Sequence, residues 1–366
     1  MTSDVKSVSI PPAMKAVVCH GVQDYRLEEA PTPTVGPGEV LLRIHACGIC
    51  ASDLKCYNGA PLFWGDDARP QFIDGPVIPG HEFVGEVVAL GEGAEEKRGL
   101  SIGDMAVAEQ IVPCWKCRYC LRGQYWVCAI SNVFGFQKTV NGAMTEYMKV
   151  PERAIVHKVP KSIPAKKAAV IEPLACAIHA VERGEIKLGD VVVIAGCGTL
   201  GLSMVGAARL KTPGTLIAMD LADFRLEVAK RMGADLTINP DKEDAVQHVR
   251  DLTEGYGCDV YIEATGSPEA VVAGLHMIRK LGTFVEFSLL KKPVTVDWTI
   301  IGDAKELNIH GSHLGPYSYP IAIDYIERGL IDVEQVVTHE FSLDDFEKGF
   351  SVAANPAESM KVLLRP

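Results

Sequence analysis

Two rhythms of apolar and polar positions divide the chain. Over the first ~150 residues, short β-branched runs such as Val40–Ala46 and Phe83–Leu90 sit between glycines and prolines, which predicts strands and loops. Proline and glycine punctuate Pro31–Gly38 and Gly59–Gly80. A sustained helical period first appears at Ala165–Glu182. The pattern then becomes regular. Strands are predicted at Val191–Ala195, Thr215–Asp220, Asp259–Thr265 and Thr283–Ser288, separated by helices at Leu200–Leu210, Phe224–Met232 and Pro268–Lys280. Strands alternating with helices of this length predict an α/β fold with a parallel, doubly wound sheet. After about Gly315 the rhythm weakens to one helix, Tyr319–Arg328, and one strand, Met360–Leu364. That tail is short for a domain of its own, so it is expected to pack back on the N-terminal part.

Length and charge narrow the partners. A chain of 366 residues predicts two domains rather than one core. A net charge of −11 excludes nucleic acid and anionic membrane as natural partners. The uncharged run Val191–Ala208 approaches membrane-span length, but its glycines point to a strand, a turn and a helix. The opening MTSDVKSVSIPPA has neither an apolar core nor a basic run. It reads as a frayed lead-in rather than a targeting peptide, and the expectation is a cytoplasmic protein.

Cys114, Cys117, Cys120 and Cys128 are spaced C-x2-C-x2-C-x7-C. Four thiolates so close in sequence can converge on one tetrahedral zinc, and a filled thiolate shell makes that zinc structural. Disulfides fit poorly, because the chain has eleven cysteines and no secretory signal. An iron–sulfur cluster fits poorly too, since ferredoxin spacing puts the fourth cysteine three residues on and before a proline. Here Ala129 follows Cys128. Cys19, Cys47, Cys56, Cys176, Cys197 and Cys258 read as small buried apolar groups.

A second metal site is scattered. Cys50 lies in CGICASD and His81 and Glu82 in GHE, offering thiolate, imidazole and carboxylate. Three protein ligands and an exchangeable position make a catalytic zinc. Glu172, in IEPLAC, is a fourth candidate, direct or through water. Asp53 is placed to orient the His81 imidazole. Cys47–Cys50 could instead be a redox C-x-x-C pair, and His81 a core histidine.

Gly196-Cys197-Gly198-Thr199-Leu200-Gly201 is G-x-G-x-x-G between a predicted strand and a predicted helix. Gly196 permits the turn, Gly198 the approach of a pyrophosphate and Gly201 close helix–strand packing. The helix start offers free N–H groups to phosphate. Asp220 follows 19 residues after Gly201, where a carboxylate receives ribose hydroxyls and repels a 2′-phosphate, so NAD is expected rather than NADP. Arg225 is placed to stack on adenine.

With these motifs in this order, the chain resembles the zinc-dependent medium-chain dehydrogenase family from MKAVV at Met14 to MKVLL at Met360. The resemblance implies a GroES-like catalytic domain over 1–175 holding two zinc ions. It implies a Rossmann domain over 176–315 and a return to the catalytic domain over 316–366, with the active site in the cleft between them. EPLACAIHAVERG with Glu172 and GHE with Glu82 are similar to the polyol and threonine dehydrogenase branch. The implied activity is NAD-linked oxidation of a secondary hydroxyl of a short polyol such as erythritol or threitol. L-threonine, sorbitol, xylitol, arabitol or a vicinal diol are the alternatives. Ser52 would carry the proton, and Thr265 and the backbone around Ser288 would hold the nicotinamide. The family's outer proton-relay histidine is Lys55 here. Phe63, Trp64, Asp66, Asp67 and Arg69, in a long loop, are candidates for the pocket rim. A homo-oligomer, dimer or tetramer, is implied, with TVDWTIIGDAKELNIHG as an interface segment.

Overall fold

The computed structural model describes residues 5–290 and 292–366. The chain separates into two compact units. One runs to Glu172 and regains Tyr319–Arg328 and Val337–Pro366; the other holds Pro173–Ser318 and Gly329–Val336.

The first unit is built on a sheet of eight described strands. Its main order is Val156–Val159, Met105–Ala108, Glu82–Leu90, Val40–Ile49, Lys361–Arg365 and Val337–Ser342. The chain's last strand thus lies against one of its early strands, Leu364 opposite Cys47. Strand Glu82–Leu90 is apolar along nearly its whole length and is buried on both faces. Ala13–Gly21 and Asp24–Pro31 pair as a hairpin outside this sheet. Its core gathers Val40, Leu42, Val87, Met144, Phe346 and Leu364 among others. Within the lead-in, Lys6 and Ser7 pair with Leu90 and Ala89 rather than fraying. Met1–Asp4 of that lead-in lie outside the described residues.

The second unit is a parallel sheet in the order Leu236–Ile238, Thr215–Met219, Val191–Ala195, Cys258–Glu263, Ile278–Glu286 and Asn308–Gly311. The continuous apolar run VVVIA occupies its centre, as burial on both faces demands. The run Val191–Ala208 is a strand, a turn and the helix Thr199–Arg209. No described helix is long and apolar enough to cross a membrane.

Several boundaries differ from the periodicity, three of them informatively. The helix expected over Ala165–Glu182 is two, Ala165–Ala168 and Ile171–Arg183. Pro173 explains the break: it lacks an N–H, which only a helix's first turn tolerates. The helix Pro268–Met277 stops early, and Arg279 and Lys280 belong to the strand Ile278–Glu286. Asp220 lies just past the strand Thr215–Met219.

Candidate active site and dinucleotide turn

In the first unit, Val40–Ile49 runs directly into Cys50, which caps the helix Ala51–Tyr57. Asp53, in that helix's first turn, accepts the Cys50 amide on Oδ2 at 2.8 Å. Its other oxygen, Oδ1, stands 3.7 Å from His81 Nδ1. One carboxylate therefore caps the helix start and faces the imidazole. Strand Glu82–Leu90 pairs antiparallel with Val40–Ile49, placing Gly48 opposite Glu82. A Cβ on Gly48 would lie 2.2 Å from Glu82 Oε2, so only glycine leaves room for that carboxylate. Ligand atoms of Cys50, His81 and Glu82 all lie within 4.8 Å of one another. Ser52 Oγ is 3.4 Å from His81 Nε2.

These residues fit a zinc ion. Thiolate, imidazole and carboxylate are its usual donors, and three of them leave a position for substrate. Asp53 Oδ1 and His81 Nδ1 are buried without a hydrogen-bond partner, and such atoms are costly unless a nearby charge compensates them. Burial opposes the imidazolium of His81, yet Asp53, Cys50 and Glu172 hold its pKa well above the ordinary value. A buried cluster so rich in negative charge accommodates a cation.

Glu172 is not part of that three-residue cluster. Its Oε1 accepts a short hydrogen bond from Gln110 Nε2. Gln110 is itself oriented by Tyr319, whose hydroxyl donates to Oε1 at 2.8 Å and accepts the Gln110 amide at 3.2 Å. All three are buried, and the Glu172 charge still reaches His81 and Lys361.

Lys361, from the last strand, is 3% exposed. Its ammonium donates to Glu82 Oε2 in a short ion pair and to the Ile49 carbonyl at 3.1 Å. Burial pushes its pKa down, but Glu82 and Cys50 outweigh that and keep the amine charged. Gln110, Tyr319 and Lys361 were not among the residues singled out from sequence. Of the rim candidates, Phe63 is a correction. It is 4% exposed and stacks on Phe136 with centroids 5.1 Å apart, because an apolar ring is more stable in this core than at a wet rim. Phe136 also touches the His81 ring at 5.6 Å. Trp64 is half-buried, with its indole N–H on the Cys56 carbonyl at 2.7 Å. Asp66, Asp67 and Arg69 are exposed, and Asp66 and Arg69 pair with each other at 3.4 Å.

Cys114, Cys117, Cys120 and Cys128 converge, their sulfurs all within 4.8 Å of one another. The amides of Ala129 and Cys120 pull the Cys117 thiol down to about 6, while burial and the neighbouring sulfurs push Cys120 up to about 12. Four thiolates here need a cation to ionise together, which fits a structural zinc. Cys19, Cys47, Cys56, Cys176, Cys197 and Cys258 are buried. Cys114→Ser is expected to cost about 2–3 kcal/mol, roughly 5–10 °C in midpoint, with turnover per folded molecule little changed. Thermal unfolding beside an active-site titration checks this.

In the second unit, Gly196 adopts φ +97°, and a Cβ on Gly201 would lie 1.7 Å from the Gly196 carbonyl oxygen. Both must therefore be glycine. Gly198 has nothing within 4 Å of its missing Cβ, so the approach to the start of Thr199–Arg209 is open. Asp220 closes the turn from behind. Its Oδ2 accepts the Cys197 amide at 2.7 Å and its Oδ1 the Ala222 amide at 2.9 Å. Arg225 lies 3.8 Å from Asp220 and over the Phe224 ring. Thr265 caps the neighbouring strand through Glu263, and Ser288 Oγ reaches the Glu263 carbonyl at 3.5 Å. The strand order reverses between Val191–Ala195 and Cys258–Glu263, and doubly wound sheets bind ligands at such a point.

Comparison with known proteins agrees with both halves. The family model described as alcohol dehydrogenase GroES-like domain matches residues 36–161, and zinc-binding dehydrogenase matches 199–328. The chain is 52% identical to an erythritol/L-threitol dehydrogenase of Mycolicibacterium smegmatis, over 98% of this chain and 99% of that one. It is 37% identical to an L-threonine 3-dehydrogenase of Pyrococcus horikoshii, over 89% and 91%. Among solved structures, a zinc-binding dehydrogenase of Sinorhizobium meliloti bound to NADP superposes with TM-score 0.86 at 29% identity, covering 97% and 99%. An alcohol dehydrogenase of Escherichia coli complexed with NADH also gives 0.86, at 28% identity, covering 97% and 100%.

Proposed function

The chain belongs to the zinc-binding alcohol dehydrogenase family, in its polyol and threonine branch, and on that premise we propose that it oxidises a secondary hydroxyl of a short polyol to the ketose, reversibly, with NAD. An erythritol- or threitol-like substrate is the specific reading. The observation that carries it is the Cys50–His81–Glu82 cluster, with Glu172 held beside it by Gln110, in a chain 52% identical to a dehydrogenase of those two polyols.

Cys50, His81 and Glu82 would hold a zinc ion that supplies Lewis acidity toward the substrate hydroxyl, and bound NAD would supply the hydride acceptor. The chain's own residues do the rest. Ser52 Oγ, beside His81, is placed to take the hydroxyl proton. Lys361 neutralises Glu82, and the side-chain amide of Gln110 orients the Glu172 carboxylate. Phe63 and Phe136 keep water from one side of the imidazole. A site with oxygen donors is suited to a polyol's several hydroxyls rather than to one apolar alcohol. Asp220, at the ribose position, favours NAD over NADP, although relatives bind either dinucleotide. A second zinc would sit among the four clustered cysteines, and the working form is a homo-oligomer.

L-threonine oxidation is the second reading, favoured by the 37% identical relative. It needs partners for an ammonium and a carboxylate, and Asp66 and Arg69 already satisfy each other. The test is NAD reduction with erythritol, both threitols, sorbitol, xylitol, 2,3-butanediol, ethanol and L-threonine, with NADP as control. The expected result is kcat/KM highest for a four-carbon polyol, by about tenfold or more over L-threonine and ethanol, a gap of about 1.4 kcal/mol. Preference for ethanol or for L-threonine ends the polyol reading.

A further inference from the structure

Two acidic side chains in the second unit face each other where a sheet core would ordinarily place apolar ones. Glu263 and Glu286 end adjacent parallel strands in direct register. Two residues back, the same face carries Tyr261 and Phe284, stacked at 5.2 Å. Glu263 is fully buried. Its Oε1 accepts the Thr265 amide at 2.7 Å, the Thr265 hydroxyl, and the Gly266 amide at 3.0 Å. Glu286 Oε1 is buried and has no partner.

The groups around Glu286 can be named. From Cys258–Glu263 come Glu263 and Tyr261, whose hydroxyl is turned to the Ala270 carbonyl at 2.8 Å. From Asn308–Gly311 comes Gly311 in register, with no side chain, while His310 bonds the Arg183 carbonyl. The adjoining Ser312 Oγ is likewise buried without a partner. The Ser288 amide faces Glu286, and Glu269 begins the helix Pro268–Met277, bonded to Ser267. Among the described residues, Glu263 is the one charge acting on Glu286, and it is of the same sign. Burial, then Glu263, pushes the Glu286 carboxyl up to about 7.

The pair lies under the dinucleotide turn. A Cβ on Gly196 would meet the Ala264 carbonyl oxygen at 2.7 Å and Thr265 Cγ2 at 3.0 Å, and one on Gly266 the Leu289 carbonyl oxygen at 2.8 Å. The phosphate turn, the Thr265–Gly266 loop and the Phe287–Leu289 loop therefore stack in series, and Glu263 and Glu286 underlie the last two.

We infer that Glu286, protonated, donates to Glu263 and clamps these two loops in the shape that receives the dinucleotide, so that Glu286 is a positioning residue whose ionisation weakens dinucleotide binding. The inference rests on the dinucleotide reading above. Below the Glu286 transition one proton joins the pair. Above it two like charges face each other in a buried place and push the loops apart.

The experiment is NAD and NADH titration of the intact enzyme by intrinsic fluorescence from pH 5.5 to 8.5, with wild type, Glu286→Gln and Glu286→Leu. Wild type is expected to weaken about three- to tenfold across a transition near pH 7, whereas both variants give flat profiles. Glutamine supplies a permanent donor, and leucine removes the charge without needing one. A flat wild-type profile, or variants that keep the wild-type slope, overturns the inference. Failure of every form to bind either dinucleotide at any pH overturns the dinucleotide reading and this clamp with it.

Discussion

Cys50→Ser is expected to abolish turnover while leaving a folded protein. A serine hydroxyl does not ionise near neutral pH and is a poor zinc donor, so the proposed three-ligand set of Cys50, His81 and Glu82 would fall to two. Zinc content should drop from two per chain to one. The rate should fall on the order of 10³-fold or more, about 4 kcal/mol of lost transition-state stabilisation. The fold should survive, because Cys50 lies at the mouth of its helix and the Asp53 cap accepts a backbone amide that serine retains. Elemental analysis, circular dichroism and NADH formation read the three parts separately. Full activity with one zinc lost would remove Cys50 from the chemistry. Two zinc ions retained with activity gone would make it something other than a ligand.

Lys361→Met should produce the largest stability loss, and the loss should depend on metal. Methionine fills similar space but leaves Glu82 buried, charged and without its cation. Breaking such a pair from one side costs about 3–5 kcal/mol, far more than the intact pair contributes. The full cost should appear in metal-free protein. Loaded protein should lose less, since the ion takes over part of the compensation. Glu82→Gln combined with Lys361→Met should recover most of the metal-free stability and none of the activity. Urea unfolding with and without chelator tests this. Equal losses in both forms would mean that Lys361 acts through packing alone.

Much of the architecture was legible because it rests on local pattern. VVVIA reads as a doubly covered strand from its own five residues, and the glycine turn from its spacing. The side chains proposed to bind metal were legible for another reason: each is a residue type that seldom appears in such company by chance. What failed was either masked by a stronger local signal or had no local signal. AKKAAVIEPLACAIHA is strongly helix-forming throughout, and Pro173 was the one sign of the break before it. Arg279 and Lys280 look like the cations that end a helix but sit in a strand. Gln110 and Lys361 are ordinary in sequence. Their roles come from partners 209 residues away at Tyr319 and 279 away at Glu82. Only the assembled fold brings them together.

The first unit's sheet also imposes an order on synthesis. The slot between Val40–Ile49 and Val337–Ser342 is filled by Lys361–Arg365. A nascent chain therefore carries an apolar strand edge open to other chains until Lys361–Arg365 has been made. The parallel sheet, drawn mainly from the continuous segment Pro173–Ser318, can form meanwhile. The same late residues deliver the ammonium that makes Glu82 tolerable in the interior. A ribosome that stalls shortly before Lys361 would release a protein able to hold a nucleotide yet prone to edge-to-edge aggregation, a burden for chaperones rather than a slower enzyme.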